Sequence, residues 1–199
     1  MNGIIESIGH TLKIESDSIA QIGQTLDVTA VESIVEMLCG CRGKVFVTGC
    51  GTSGAAAKKI AHTLCCVNRP AAFLSPADAV HGGLGVVDEG DIAILISKGG
   101  ATPEITNLVG ACKAKGAKTV AVTEKSDSKL ARECDVLLKI VVEKEPDAFN
   151  MLATASTLTV IAVMDAIAIC VMERSGFTKE AFGVIHPGGA VGEKLLGKK

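Results

Sequence analysis

Aromatic residues are scarce in this sequence. It contains no tryptophan or tyrosine, and aromatic residues make up 3% of its 199 residues. Single-stranded nucleic acids bind largely by stacking bases on aromatic rings, and the lysines here are scattered in a chain of net charge −2, so we expect no nucleic-acid partner. Hydrophobic residues nonetheless make up 48%. A core of Ala, Val, Ile and Leu suits buried parallel strands that are covered by helices on both faces.

The cysteine pattern also excludes a class of site. The eight cysteines include no Cys-x-x-Cys pair and only four histidines accompany them, so we expect no metal site. Most cysteines stand among apolar residues, where a free thiol behaves as a small hydrophobic group. Free thiols are typical of a reducing compartment, and the N-terminal residues do not resemble a secretory signal, so a cytoplasmic location is predicted.

One apolar run, residues 157–172, has the composition of a membrane span. Asp165 stands in its middle, and a charge at the bilayer centre costs about 2.5–3.5 kcal/mol. The run is also shorter than the ~20 residues that a span needs. A helix that is apolar on all sides more simply belongs to a core or a subunit interface. We therefore expect no membrane partner, and a homo-oligomer.

From Lys44 onward, apolar strands alternate with helical segments, whereas residues 1–40 are helical throughout. The alternation predicts an α/β fold, a three-layer αβα sandwich with a five-stranded parallel sheet, in one domain over residues 1–199 with residues 1–40 as a helical N-terminal arm. The arm's second helix is predicted to begin with a capping box, Thr29-Ala30-Val31-Glu32. The expected strands are 45–47, 71–74, 92–96, 119–122 and 136–142, and the expected helices lie near 54–66, 103–115, 128–134, 154–175 and 178–183.

A glycine-rich stretch, Gly49-Cys50-Gly51-Thr52-Ser53-Gly54, joins the first strand to a helix. A helix that starts there presents free N–H groups and a positive dipole end, so Gly51, Thr52 and Ser53 are predicted to bind a phosphate. The G-x-G-x-x-G spacing also occurs in dinucleotide sites, but the acidic residue expected at the end of the next strand is displaced to Asp78, beyond a proline. A further alternative is that the glycines only let helix and strand pack closely.

The loop after the third strand, Ser97-Lys98-Gly99-Gly100-Ala101-Thr102-Pro103-Glu104, is a second stretch of small residues. Ser97, Gly99 and Thr102 are predicted to contact the same ligand, although Thr102 could simply cap the helix that follows. Ligands in open α/β sheets bind at the carboxyl ends of strands, where segments 75–85 and 143–150 are also expected. Two anion-binding loops that face one cleft would suit a sugar phosphate.

These loops belong to a series of motifs that runs from Lys44 to Leu196 and resembles the SIS (sugar isomerase) domain. The family's patterns are G-x-G-K-S-G, H-P-x-E-A-x-H-G-D-L-G, S-N-S-G-E-T-x-E and, near the end, F-T-x-E-D-F followed by H-P-G-G-A-L-G. Here the second reads S-P-A-D-A-V-H-G-G-L-G from Ser75, and the last reads H-P-G-G-A-V-G from His186. Within the family the series is most similar to the arabinose-5-phosphate isomerases. The resemblance implies a flavodoxin-like fold and a homotetramer whose sites draw on a neighbouring subunit.

The resemblance also implies a reaction, the interconversion of an aldose and a ketose phosphate such as arabinose 5-phosphate and ribulose 5-phosphate. The reaction passes through an enediolate and needs no metal or redox cofactor. Each residue with an implied role has a structural alternative: the histidines could be structural, one glutamate could pair with a helix dipole, and the other could be solvated in a charged loop. The resemblance implies catalytic roles for His81, Glu104, Glu145 and His186, with Glu145 preferred over Glu104 as the base.

Several substrate-positioning residues depart from the family's patterns. Thr52 stands where the isomerases have lysine, Gly99 replaces a serine, Ala101 replaces a glutamate and Gly83 replaces an aspartate. Around Glu145 the family's K-E-A-C-P becomes K-E-P-D-A. The retained histidines and glutamates favour an enzyme. The lost lysine and serine favour the alternative, a non-catalytic sugar-phosphate-binding regulatory module.

Overall fold

Five strands form one sheet in the structure, a computed structural model that describes residues 2–188. The strand order is β2-β1-β3-β4-β5, and every neighbouring pair is parallel. The predicted five-stranded parallel sheet is therefore confirmed. The strands are β1 Val45–Gly49, β2 Ala71–Phe73, β3 Ile92–Ile96, β4 Lys118–Thr123 and β5 Val136–Lys139.

Helices cover both faces of the sheet, as the predicted αβα sandwich requires. Helices α3 and α7 lie on one face, and α1 and α2 pack against α7; α5 lies on the other face and packs against α4 and α6. A 3-10 turn spans Gly83–Val86. The helices are α1 Asn2–Thr25, α2 Val28–Gly40, α3 Gly51–Cys66, α4 Pro76–Ala79, α5 Pro103–Ala114, α6 Lys129–Glu133, α7 Ala155–Arg174 and α8 Lys179–Ile185.

The core consists of two apolar layers that the pleat of the strands separates. Along β1, Val45 and Val47 point toward α3 and α7, whereas Phe46 points toward α5. Along β3, isoleucines face the first layer, and Ala93 and Leu95 face the second. Because both faces are covered, these strands read as continuous apolar runs rather than as alternating ones, which is why the sequence predicts them well.

Helix α7 lies against the core rather than apart from it. The helix has 20 residues, and by length and composition alone it could cross a membrane. In the structure it packs against α1, α2 and α3, with Val163, Met164 and Ile167 buried. Asp165 forms an ion pair with Lys59 of α3. The contacts are those of a core helix, although the helix is longer than the apolar run of residues 157–172.

The predicted capping box at Thr29 is wrong. Helix α2 begins at Val28, so Thr29 lies within its first turn. The N-cap is Asp27, whose carboxylate accepts a hydrogen bond of 3.2 Å from the N–H of Ala30. Aspartate and threonine both cap helices well, and the aspartate carries in addition a negative charge at the positive end of the helix dipole.

Strand β5 and the segment 75–85 also differ from their predictions. Strand β5 ends at Lys139 rather than at Val142, because it pairs only with β4 and Lys139 is the partner of Thr123, the last residue of that strand. The segment 75–85 is not an open loop, since it contains α4 and the 3-10 turn. Ser75 caps α4 by accepting a hydrogen bond of 3.4 Å from the N–H of Asp78.

Candidate functional site

The strand order places a topological switch point between β1 and β3. Gly49, the last residue of β1, pairs in register with Ile96, the last residue of β3. The two segments that follow these strands, Cys50–Ser53 after β1 and Ser97–Thr102 after β3, therefore begin side by side. Ligand crevices of doubly wound sheets lie at such a point, outside the carboxyl ends of the strands. The two predicted anion-binding loops are neighbours.

The glycines of the first loop have different roles. A Cβ atom on Gly49 would lie 2.7 Å from the backbone of Ser53, and one on Gly54 would lie 2.7 Å from the carbonyl oxygen of Gly49. These two glycines allow helix and strand to pack closely, which is the structural alternative that the sequence left open. Gly51 adopts a left-handed φ of 57°, and a Cβ there would meet nothing within 4 Å. It makes the turn into α3.

The N-terminus of α3 offers backbone donors to an anion. The N–H of Gly54 bonds the carbonyl of Cys50 at 3.2 Å, and Cys50 makes no side-chain cap. The N–H groups of Gly51, Thr52 and Ser53 precede the helical hydrogen bonds and have no intrahelical acceptor. The helix is 16 residues long, so its dipole adds positive potential at this end.

The second loop is held closed by its own hydroxyl groups. The hydroxyls of Ser97 and Thr102 lie 2.8 Å apart, and Ser97 Oγ accepts a bond of 3.2 Å from the N–H of Gly100. Thr102 occupies the N-cap position of α5, yet its hydroxyl contacts Ser97 instead of a helical N–H. One O–H of the pair is used between them, so the other remains a donor. Gly99 is exposed and uncrowded.

A cleft opens between α3, α7 and the ends of the central strands. Its floor is apolar, and Thr52 and Ser53 contribute polar groups from the first loop. Lys98, for which no role was predicted from the sequence, lies in the same cleft. A lysine in a run of small residues directly after a buried strand was the available signal. The other polar side chains of the lining are Thr123, Glu124, Ser156 and Thr157.

Glu145 is buried instead of solvated, so that structural alternative is wrong. Its side chain is 0% exposed and accepts hydrogen bonds from Lys98 Nζ at 2.7 Å, the N–H of Thr154 at 3.0 Å, the N–H of Ser156 at 3.4 Å, and the hydroxyl of Ser156. Burial would raise the pKa of Glu145, but the bonds from Lys98 and Ser156 outweigh it and lower that pKa below its usual value. The carboxylate is therefore ionised at neutral pH, and it caps the start of α7.

Glu104 is exposed in the first turn of α5, at the same edge of the sheet. It lies close to the first loop: the pKa of the Cys50 thiol is raised, mainly by burial and also by the charge of Glu104. Glu104 is outside the lining of the cleft. It has the exposure that a proton-transfer group needs, and it could equally stabilise the helix dipole.

The two candidate histidines lie away from the cleft within the described part of one chain. His81 follows α4 and is exposed. Its backbone N–H donates a hydrogen bond of 3.0 Å to the carbonyl oxygen of Asp78. His186 follows α8; its Nδ1 lies 2.9 Å from the carbonyl oxygen of Phe182, and its ring stacks on the Phe182 ring with centroids 3.9 Å apart. The later part of the His186 motif, residues 189–192, lies outside the described residues.

The described residues contain no group of three or more His, Cys, Asp or Glu side chains that could hold a metal ion. Polar groups from the two loops and the start of α7 instead surround the cleft. The site thus offers backbone N–H groups, hydroxyls and one ammonium to a ligand, which together suit an oxyanion such as phosphate.

A family profile, that of the SIS domain, matches residues 37–170. The chain belongs to the SIS domain family. The matched residues extend from α2 into α7 and include both loops, His81, Glu104 and Glu145, whereas His186 lies beyond them.

Two solved structures of the SIS family are closely similar to this chain. A protein of Listeria monocytogenes, described as a candidate sugar-phosphate isomerase, is 50% identical with a TM-score of 0.93 and is covered over 98% of its length by 94% of this chain. An Escherichia coli CFT073 protein, solved in complex with arabinose 5-phosphate, is 32% identical with a TM-score of 0.89 and the same coverage.

A longer relative belongs to the same family. The arabinose 5-phosphate isomerase KpsF of Escherichia coli CFT073 is 34% identical over 193 residues, which are 97% of this chain and 59% of the relative. The chain thus spans about three fifths of the length of the curated relatives that it matches.

Proposed function

We propose that this SIS domain is an aldose–ketose isomerase for a phosphorylated sugar, most similar to the arabinose-5-phosphate isomerases. It would interconvert arabinose 5-phosphate and ribulose 5-phosphate. The N-terminus of α3 carries the proposal, because its N–H groups and the hydroxyls of Thr52 and Ser53 stand at the switch point beside the Ser97–Thr102 pair. The similarity to a relative solved with arabinose 5-phosphate, at 32% identity over nearly its whole chain, supports the same ligand class.

The proposed reaction moves a proton between C1 and C2 through an enediolate, so it needs a base and groups that transfer protons to the sugar oxygens. Glu145 was the preferred base from the sequence, but its acceptor sites are occupied and its pKa is lowered. Efficient general bases have a pKa near the working pH. We therefore propose Glu104 as the base, Glu145 as a positioning residue, and His81 and His186 as groups for ring opening and oxygen protonation.

We also propose a homotetramer in which neighbouring subunits complete the sites. One turn and a half of α1 exposes large apolar side chains, with Ile4 69%, Ile5 70% and Ile8 50% exposed, and Phe149 and Met151 on or beside the 143–150 segment are 79% and 82% exposed. Apolar surface of this kind commonly marks a subunit interface. A neighbouring subunit could then bring His81 or His186 toward the cleft.

A cytoplasmic location completes the proposal. All eight cysteines are free thiols in the structure, and Cys112 and Cys134 lie in or against the second apolar layer. Burial raises the pKa of Cys112 and raises that of Cys134 to about 11, so these two thiols are protonated and unreactive at neutral pH. Free, inert thiols are typical of a reducing compartment.

A second candidate function is a sugar-phosphate-binding regulatory module without catalysis. The observation that favours it is Glu145, which has no unused acceptor for a substrate proton, together with the threonine that replaces the family's lysine at position 52. Both functions require sugar-phosphate binding, so turnover is the property that separates them.

The test is to incubate the full chain, with no cofactor added, with a panel of pentose and hexose phosphates and to follow aldose–ketose interconversion. We expect conversion of arabinose 5-phosphate to ribulose 5-phosphate and none of the unphosphorylated sugars. Tight binding of a sugar phosphate with no turnover of any member of the panel would support the regulatory module instead.

A further inference from the structure

Lys98 is the one positively charged side chain among the described residues that line the cleft. It lies two residues after the end of β3, and it faces the same space as Thr52 and Ser53 at the N-terminus of α3. The only negative charge among those described lining residues is Glu124, whose carboxylate lies 3.8 Å from Lys125. A cation and a helix N-terminus that face one cleft attract the same kind of ligand, an anion.

The backbone and the tip of Lys98 are both fixed. Its carbonyl oxygen accepts hydrogen bonds from the Thr123 hydroxyl at 2.8 Å and from the N–H of Glu124 at 3.0 Å. Its ammonium donates to Glu145 at 2.7 Å, and that carboxylate is itself held by the start of α7. A long side chain that is already ordered loses less conformational entropy when it binds a ligand.

The ammonium of Lys98 still has donors to offer. An ammonium carries three N–H groups, and the structure uses one of them for Glu145. The Lys98 side chain is 41% exposed, whereas the Glu145 side chain is 0% exposed. The carboxylate therefore fixes the position of the cation from the protein side, and the remaining N–H groups are accessible from the cleft.

We propose that Lys98 is the cation that binds the substrate phosphate in this site, and that buried Glu145 positions it. Lys98 would thereby supply from the loop after β3 the charge that Thr52 does not supply from the first turn of α3. The identity of the ligand as a sugar phosphate rests on the proposed function, whereas the role of Lys98 in anion binding rests on the geometry.

The test compares anion binding by the unmodified 199-residue chain and its variants in titration calorimetry, with inorganic phosphate and arabinose 5-phosphate as the probes. Lys98→Met should weaken binding of both probes by about 10- to 100-fold, the loss expected for one charge-assisted hydrogen bond. Adding Thr52→Lys to Lys98→Met should restore much of the affinity, because position 52 lines the same cleft. Lys115→Met is the matched control, since it removes an equal charge from the exposed C-cap position of α5, outside this lining, and should leave affinity within about 2-fold.

A purely structural role for Lys98 predicts a different pattern. The Lys98→Met change leaves the buried Glu145 carboxylate without its cation. The thermal stability of the variant protein is therefore measured together with its affinity. If the single variant is unstable, the double variant Lys98→Met with Glu145→Gln removes both charges and should remain folded. Its affinity for both probes should be as weak as that expected for Lys98→Met. If the role of Lys98 is purely structural, Lys98→Met should lose stability while the folded protein keeps its affinity. Thr52→Lys should then not restore the stability.

The outcomes separate this inference from the proposed function. Phosphate binding that depends on Lys98, without turnover of any sugar phosphate, would refute the isomerase and leave the role of Lys98 intact. Turnover with an unchanged affinity in Lys98→Met would refute the role of Lys98 and leave the isomerase intact. Equal losses in Lys98→Met and Lys115→Met would also overturn the inference, and a wild-type protein that binds neither probe would overturn both.

Discussion

Replacing Glu145 by alanine should destabilise the protein strongly, although the residue follows two exposed charged residues. The change removes a fully buried carboxylate that accepts bonds from the N–H groups of Thr154 and Ser156, from the Ser156 hydroxyl and from Lys98. The start of α7 would lose its only side-chain acceptor among these contacts, because Thr154 at the N-cap makes no side-chain cap.

The size of the effect follows from those contacts. Loss of a helix cap costs about 1 kcal/mol, and a hydrogen bond to a charged group is worth about 1.5–3 kcal/mol. The partner Lys98 is 41% exposed and can be hydrated, so its share is small. We expect a loss of about 2–4 kcal/mol in the free energy of unfolding, which lowers the Tm of a domain of this size by roughly 5–15 °C.

The assay is urea unfolding of wild type, Glu145→Ala and a matched control, Glu143→Ala, which removes an exposed carboxylate two positions away. The control should change stability by less than about 0.5 kcal/mol. Because the pKa of Glu145 is lowered in the folded protein, its stabilisation is complete above the ordinary glutamate pKa and disappears as pH falls through the lowered pKa. The gap between wild type and variant should therefore be widest at neutral pH, begin to narrow near the ordinary glutamate pKa of about 4.3, and be smallest below the lowered pKa of Glu145. Equal stability of the two alanine variants at pH 7 would refute the assigned contacts.

Three further predictions concern the ligand, the fold and the assembly. Ser53→Glu should abolish sugar-phosphate binding through like-charge repulsion without unfolding the protein, whereas Ala55→Glu, at an exposed position of the same helix, should bind normally; undiminished binding by the first variant in calorimetry would remove the α3 terminus from the site. Asp27→Ala should cost about 1 kcal/mol of stability in urea unfolding, and Thr29→Ala much less, because Asp27 is the cap of α2. Wild type should have an oligomeric mass by light scattering at micromolar concentration and Ile8→Asp a smaller one; a monomeric wild type would contradict the proposed tetramer.

The elements that the sequence predicted best are those whose signals are local. Strand β3 was placed with both ends correct, because an unbroken apolar run lies between Asp91 and Ser97. The start of α2 was misplaced by a choice between two good capping residues, Asp27 and Thr29. That choice depends on backbone geometry, since only the cap residue itself is extended while its side chain reaches the next turn.

The site was predictable only in part, because some of its contacts join distant parts of the chain. The neighbouring positions of the two loops follow from strand order, which the alternating pattern does not specify. The burial of Glu145 depends on Lys98, 47 residues earlier, and on α7, which begins ten residues later. No local pattern distinguishes such a carboxylate from a solvated one in a charged segment. The roles proposed for His81 and His186 remain predictions from the resemblance.

The most direct test of the proposed isomerase is proton NMR of arabinose 5-phosphate in D2O with the wild-type protein and no added cofactor. The enediolate mechanism predicts conversion to ribulose 5-phosphate that carries solvent deuterium at C1. It also predicts gradual loss of the C2 proton signal from the remaining arabinose 5-phosphate, as deuterium enters C2 in the reverse step. Conversion in which the C2 hydrogen of the aldose is transferred wholly to C1 of the ketose, with no deuterium in either sugar, would contradict the enediolate. The absence of both conversion and exchange would contradict the isomerase itself.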